Sequence, residues 1–425
     1  MRHRSLDRRL VFISAGVLVV MVAIVLVNGK SWGLFGTSVG QRTVSVHQNG
    51  QVPGIGLFPD VNLSGGADDS APPVKVAWKP INVKPGACVD SILYHTNLTG
   101  SWDIFRLGPV PGKPNASPNV SKGSGPDVVD LSPSRSPDGQ WVAFSSNRDG
   151  NWEIYVAAID GSMVQRVTYN TTAADLSPMW SPDGKFITYE TTRYGSRDIM
   201  EVSVATGEET RLTTSPANDV NPYWSPDSKS LLYQSDAKGL WQIFQLDVTT
   251  KKSTLISDGT GNDHNPQYSP DGKQIAFRSY RAGDNSVVYA MNADGSSPHA
   301  ISDPKANAAN QVWSPDSTLL AYQTEMNAKL NIYVTDMATM TTRKVTDDTT
   351  QNYAPTWSCA SSMLVYTSDN QGYSNIFETA ALPLNADPIT PAQATQLTSD
   401  KAADQYPLNS PSVEDASHRG RIGEP

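Results

Sequence analysis

Ser177-Pro178-Met179-Trp180-Ser181-Pro182-Asp183-Gly184 decides the fold, because close copies of it return along the chain. The second proline of each copy stands at Pro137, Pro182, Pro226, Pro270 and Pro315, and Cys359 takes the same slot in Trp357-Ser358-Cys359. The intervals are 45, 44, 44, 45 and 44 residues. A period of this size marks a repeat architecture, in which each unit is one small supersecondary element that buries its faces only against its neighbours.

One unit, from Asp175 to Thr213, reads as four short strands. A run ending at Trp180 meets the turn Pro182-Asp183-Gly184, where proline presets φ, aspartate bonds its own backbone and glycine accepts positive φ. Phe186-Ile187-Thr188-Tyr189-Glu190-Thr191 alternates as a second strand, Arg193-Tyr194-Gly195 tips a hairpin, and Ile199-Met200-Glu201-Val202 forms a third. After Thr206-Gly207-Glu208 comes a fourth strand, Thr210-Arg211-Leu212-Thr213. Such a sheet is too small to hide both faces alone, and stacking copies around an axis makes a β-propeller. Recurring apolar positions (Phe144, Tyr189, Tyr233, Phe277, Tyr322 and Tyr366 in the second strands) read as core.

The ends set the number of blades. Ser91-Ile92-Leu93-Tyr94 and Asp103-Ile104-Phe105-Arg106-Leu107 read as a second and third strand with no first strand before them. Asp404-Gln405-Tyr406-Pro407-Leu408 reads as a first strand with no second after it. The C-terminal strand is therefore expected to complete the N-terminal blade and close an all-β, seven-bladed propeller of four-stranded antiparallel blades. Six blades result if the unit at 91–107 lies outside the ring.

The rest of the chain is read against this core. A formal net charge of -9 and a pI near 5.2 disfavour nucleic acid as a partner. Leu10 to Val27 is an unbroken apolar or small run, long enough as a helix to span roughly 27 Å, and Arg2, Arg4, Arg8 and Arg9 precede it. This predicts a basic cytoplasmic segment (1–9), a transmembrane signal anchor (10–27) and an extracytoplasmic remainder. A cleaved signal peptide is the rival reading. Residues 28–86 read as a flexible linker, 87–412 as the propeller and 413–425 as a disordered tail. Gly36-Thr37-Ser38-Val39-Gly40 matches a nucleophile elbow literally, but lacks its strand–turn–helix setting.

Seven residues before each proline slot stands Asp130, Asp175, Asp219, Asp263, Ala308, Asn352 or Asp404. These positions enter the innermost strands and are expected to ring one mouth of the central channel. Such a ring could hold Ca²⁺ or the basic end of a peptide, or the carboxylates could simply bond their own loops. The histidines share no common offset, so no histidine metal centre is expected. Cys88 and Cys359 occupy near-equivalent positions in the first and last units, which closure would bring together as a possible disulfide.

Trp-Ser-Pro-Asp-Gly, Asn147-Arg148-Asp149-Gly150, Ile154-Tyr155-Val156 and Arg166-Val167-Thr168 together resemble the TolB-like propeller repeat. The resemblance covers roughly residues 88–412. It implies a propeller fold that serves elsewhere as a binding platform, as a domain of prolyl-oligopeptidase-type enzymes, or as a lyase. Here an anchor and spacer stand where the TolB family has an α/β domain. Without a catalytic constellation in the sequence, the expected function is non-catalytic: an extracytoplasmic platform for envelope proteins or peptides. The alternatives are a propeller lyase or hydrolase, and a carbohydrate or cell-wall module using Trp102, Trp152 and Trp241.

Overall fold

The computed structural model describes residues 79–81, 83, 91–108, 118–123, 125–358, 363–370, 373–380, 387–389, 393–399 and 404–408, with four two-residue strands between Ser14 and Ser31. The chain divides into residues 1–51 and 52–425. In the first unit, Ser14–Ala15 pairs with Leu18–Val19, and Leu26–Val27 with Lys30–Ser31. The anchor expected over 10–27 otherwise falls outside the described residues. Among those described, no helix is long and apolar enough to cross a membrane.

The second unit is all-β. Six four-stranded antiparallel sheets, blades A to F, begin on the strands Asp130–Arg135, Asp175–Trp180, Asp219–Trp224, Asp263–Tyr268, Asn307–Trp313 and Gln351–Trp357. A further sheet has three strands in the order Asp404–Leu408, Ile92–Thr96, Asp103–Leu107. The expectation of seven four-stranded blades is corrected on this point: six are four-stranded. Among the described residues, the outer edge of the remaining sheet carries a single antiparallel bridge, Phe105 to Asn119, where a fourth strand would pair. Pro118 lies just before it and has no N–H to extend the ladder.

Each repeat is built as its sequence demands. In the turn of blade B, Ser181 Oγ donates to Asp183 Oδ1 at 2.7 Å, Asp183 Oδ1 accepts the Lys185 N–H at 3.1 Å, and Gly184 takes φ of +71°. The aromatic before the turn packs between blades. Trp180 sits with Ala143, Ile154 and Val156 of blade A, and with Ile187 and Val202 of its own sheet. The same logic places the three-stranded sheet. Leu93 and Ile104 pack on Val142 and Phe144 of blade A, while Tyr94 and Phe105 pack on Val365 and Ile376 of blade F. The expected linker does not run clear of the propeller: Ile81 is buried in the core between blades A and B, and Val83 packs beside it.

Candidate functional site

The ring positions start the first strands, opposite the last residues of the second strands: Asp130–Ser146, Asp175–Thr191, Asp219–Ser235, Asp263–Ser279, Ala308–Thr324, Asn352–Ser368 and Asp404–Thr96. The hairpins joining second to third strands therefore rise at the same end as the ring, which is the mouth described below. All seven ring residues are buried. Each is also tied to the preceding blade through its backbone where that bond is present. Asp130 N–H donates to Trp102 O, Asp175 to Trp152 O, Asp219 to Arg197 O, Asp263 to Trp241 O and Ala308 to Ser286 O, at 2.8–2.9 Å.

Three carboxylates are met by hairpin arginines. Arg148 Nη2 lies 3.0 Å from both Asp130 oxygens, Arg193 Nη2 2.5 Å from Asp175, and Arg281 Nη2 2.8 Å from Asp263. Each guanidinium is steadied on the second-strand aromatic four residues earlier, with Arg148 on Phe144, Arg193 on Tyr189 and Arg281 on Phe277. At the corresponding tip position of blades E and F stand Met326 and Asn370, and there the ring residue is uncharged. Asp219 has Ala237 at that tip position and instead accepts from Ser215 Oγ at 3.0 Å. Burial raises the pKa of Asp130, Asp175, Asp219 and Asp263, opposed by the arginines and hydroxyls beside them. The predicted ring is thus present as a set of repeat positions, with Asp130, Asp175, Asp219 and Asp263 bonded to neighbouring side chains. Among the described residues, no cluster of three or more histidine, cysteine or acidic side chains is arranged to hold a metal. Cys88 and Cys359 lie outside the described residues.

Two layers went unread in the sequence. The first is a bulge two residues into each first strand, where Ser132, Ser177, Asn221, Asn265, Asn310 and Ala354 take φ between +50° and +55°. Its signal is the Ser or Asn before Pro at 132, 177, 221 and 265, since Asn tolerates left-handed backbone; Asn310 precedes Gln311, and Ala354 stands in the slot in blade F. The second is a polar clasp at the blade periphery. Ser121, Thr168, Thr213, Ser257, Ser302, Thr346 and Thr398 each accept a third-strand N–H through the hydroxyl at 2.9–3.0 Å. Six of these hydroxyls also donate to the preceding third-strand side chain: Asp103, Glu153, Asp198, Gln242, Asn331 or Asn375. Only the Ser302 site breaks the pattern, with Val287 at the acceptor position. The clasps hold the third strand to the chain that follows the fourth and account for the buried polar residues that take part in them.

The mouth hairpins carry most of the exposed large apolar side chains. Among the described residues, five of the seven exposed large apolar side chains are Leu98, Tyr194, Leu240, Met326 and Tyr373, at 40–52% exposure, all in mouth hairpins. The turns at the opposite end, such as Asp160-Gly161-Ser162 and Thr249-Thr250-Lys251, are polar and bond internally.

Comparison with known proteins agrees with this architecture. Residues 119–315 match the TolB beta propeller domain model. No curated protein matches the chain. Among solved structures, TolB from Acinetobacter baumannii is 19% identical with a TM-score of 0.47, over 75% of this chain and 66% of that one. An oligogalacturonate lyase from Vibrio parahaemolyticus is 14% identical with a TM-score of 0.51, over 74% and 86%. A Mycobacterium tuberculosis puromycin-hydrolyzing peptidase is 13% identical with a TM-score of 0.51, over 68% of this chain but 48% of the peptidase. At these identities the lyase and the peptidase share the fold alone, and the matched repeats name its kind: residues 119–315 are TolB-like propeller repeats.

Proposed function

We propose that the propeller is a non-catalytic platform that binds a protein or peptide of the cell envelope at its mouth. The observation that carries this reading is the distribution of exposed apolar side chains, with Leu98, Tyr194, Leu240, Met326 and Tyr373 gathered on the mouth hairpins. Exposed apolar and aromatic groups rimmed by polar ones are what protein interfaces use. The ring carboxylates serve the platform by positioning, since Asp130, Asp175 and Asp263 hold the hairpin arginines. In this reading the three-stranded sheet is a seventh, closing blade, supported by its packing on both blade A and blade F. The apolar run at 10–27 with its flanking arginines supports an uncleaved anchor that holds the propeller outside the membrane.

A chemical crosslinking pull-down from native membranes tests the platform, with Leu98→Glu and Tyr373→Glu as competitors for the same partner. A partner retained by the parent and lost by both variants is the expected result. Turnover of a polyuronate or peptide substrate by the purified chain would instead establish an enzyme.

A further inference from the structure

The repeat fails in several columns at once where blade D meets blade E. The cross-strand pairs next to the ring are Leu131–Ser145, Leu176–Glu190, Val220–Gln234, His264–Arg278, Ala309–Gln323 and Tyr353–Thr367. Four of the second-strand members accept the bulge N–H of the following blade. Ser145 Oγ takes it from Ser177 at 3.0 Å, and Glu190, Gln234 and Gln323 take it from Asn221, Asn265 and Ala354 at 2.9 Å. Arg278 carries no acceptor, so it cannot make this bond to the bulge at Asn310. In the same blade E, Ala308 replaces the ring carboxylate, and Gln311 replaces the proline found at 133, 178, 222, 266, 355 and 407. Gln311 is 2% exposed; its Nε2 donates to Asn265 O at 2.6 Å, while its Oε1 meets no protein donor. Gln234, 1% exposed and bonded to the same Asn265, has an Nε2 that meets no protein acceptor. Buried amide groups left unmet are costly, and a polar ligand would satisfy them.

An aromatic corner stands directly beside these groups. The His264 ring lies 6.1 Å from Trp241 and 5.8 Å, edge-on, from Tyr280, and the Arg278 guanidinium is 5.7 Å from the Tyr280 centroid. All four side chains are partly exposed, and exposed Leu240 precedes Trp241. Burial and the neighbouring Arg278 push His264 down to about 3, so Arg278 rather than the imidazole brings positive charge to the corner.

We infer that this corner between blades C, D and E binds an extended peptide segment bearing a carboxylate beside an apolar side chain. The carboxylate pairs with Arg278, main-chain N–H and C=O groups meet Gln311 Oε1 and Gln234 Nε2, and the apolar side chain lies against Trp241 and Tyr280. A stacked sugar fits less well: Tyr280 has Arg278 over its ring and His264 against it, leaving an angled corner instead of an open parallel face. The inference rests on the platform reading and names the chemistry that the platform selects.

The test uses the full chain and a library of fluorescein-labelled hexapeptides, read by fluorescence polarisation. Peptides with a free C-terminal or side-chain carboxylate next to an apolar residue should be enriched, and amidating that carboxylate should weaken them about tenfold or more. Arg278→Gln should abolish the difference between free and amidated peptides, and Arg278→Lys should restore part of it. Both Arg278→Gln and Gln311→Pro bring in the residue other blades carry, so the fold is retained while binding is lost. Trp241→Ala should weaken acidic and amidated peptides alike. The inference is overturned if no peptide is enriched, if Arg278→Gln and Trp241→Ala leave binding unchanged, or if a soluble polyuronate binds saturably in an Arg278-dependent way while peptides do not. A membrane partner that is captured equally by Arg278→Gln would remove this inference and leave the platform standing. Capture of nothing at all would remove the platform itself.

Discussion

Arg193 sets its guanidinium 2.5 Å from the Asp175 carboxylate, and with a second nitrogen 2.5 Å from Glu209 it ties a mouth hairpin both to the innermost strand and to the outermost. Asp175 is fully buried and Arg193 nearly so. Arg193→Ala leaves a buried carboxylate without its cation and should cost about 3–5 kcal/mol. Asp175→Asn combined with Arg193→Gln removes both charges and should recover much of that loss. Urea unfolding of the two variants and the parent decides it, and equal losses in the single and double variants would contradict the pairing.

The peripheral clasp supplies an internal control. Thr168 Oγ1 donates to buried Glu153 at 2.6 Å and accepts the Ile154 N–H at 2.9 Å. Thr168→Val leaves both groups short of a partner and should cost about 1–3 kcal/mol. Ser302 accepts the Val288 N–H but has Val287 where its acceptor would be, so Ser302→Ala should cost less. Thermal unfolding of the pair, with Thr213→Val as a second example of the full clasp, checks the order.

These two features mark where the sequence was legible and where it was not. The period and the turn chemistry of Ser181-Pro182-Asp183-Gly184 carried the blades, because turn residues act within a few positions of themselves. The pairing of Asp404–Leu408 with Ile92–Thr96 was legible because each end lacked the strands the other supplied. That the described residues beside Asp103–Leu107 form a single bridge in place of a fourth strand was not, since it turns on how Pro118 and Asn119 meet the sheet edge. The ring positions were legible as a column, but their bonding was not. That Arg148, Arg193 and Arg281 face inward depends on aromatics four residues earlier, and the variable hairpin tips gave no sign of it. The clasp hydroxyls, Thr168 after Val167 and Thr213 after Leu212, were not legible because their partners stand on the third strand and nothing beside them in sequence marks the bond.

His264 gives a signed pH dependence. Its folded value near 3 lies below the ordinary 6.5, so folding favours the neutral ring. The stability this contributes is present above pH 6.5 and is lost as pH falls from 6.5 toward 3, at up to about 1.4 kcal/mol per pH unit. His264→Gln should flatten the acid limb of stability against pH relative to the parent while leaving the region above pH 7 nearly unchanged. An NMR titration in which His264 protonates near 6.5 in the folded chain would contradict this.

Because Asp130, Asp175 and Asp263 are paired with arginines, three of the ring's five carboxylates already have their countercharge, and Asp219 accepts from the Ser215 hydroxyl. Millimolar Ca²⁺ should leave the melting temperature unchanged, and so should a chelator. A rise with Ca²⁺ that is reversed by chelation and abolished by Asp219→Asn would show that the ring holds an ion after all.

Site-specific photocrosslinking tests the central claim most directly. A photoreactive residue replaces Leu98 or Tyr373 at the mouth in one set of chains, and Thr250 or Ser296 at the opposite end in another, each expressed in the native host. The platform account predicts a discrete crosslinked envelope protein from both mouth positions and none from the opposite end. Crosslinks from Thr250 and Ser296 with none from Leu98 and Tyr373 would contradict it.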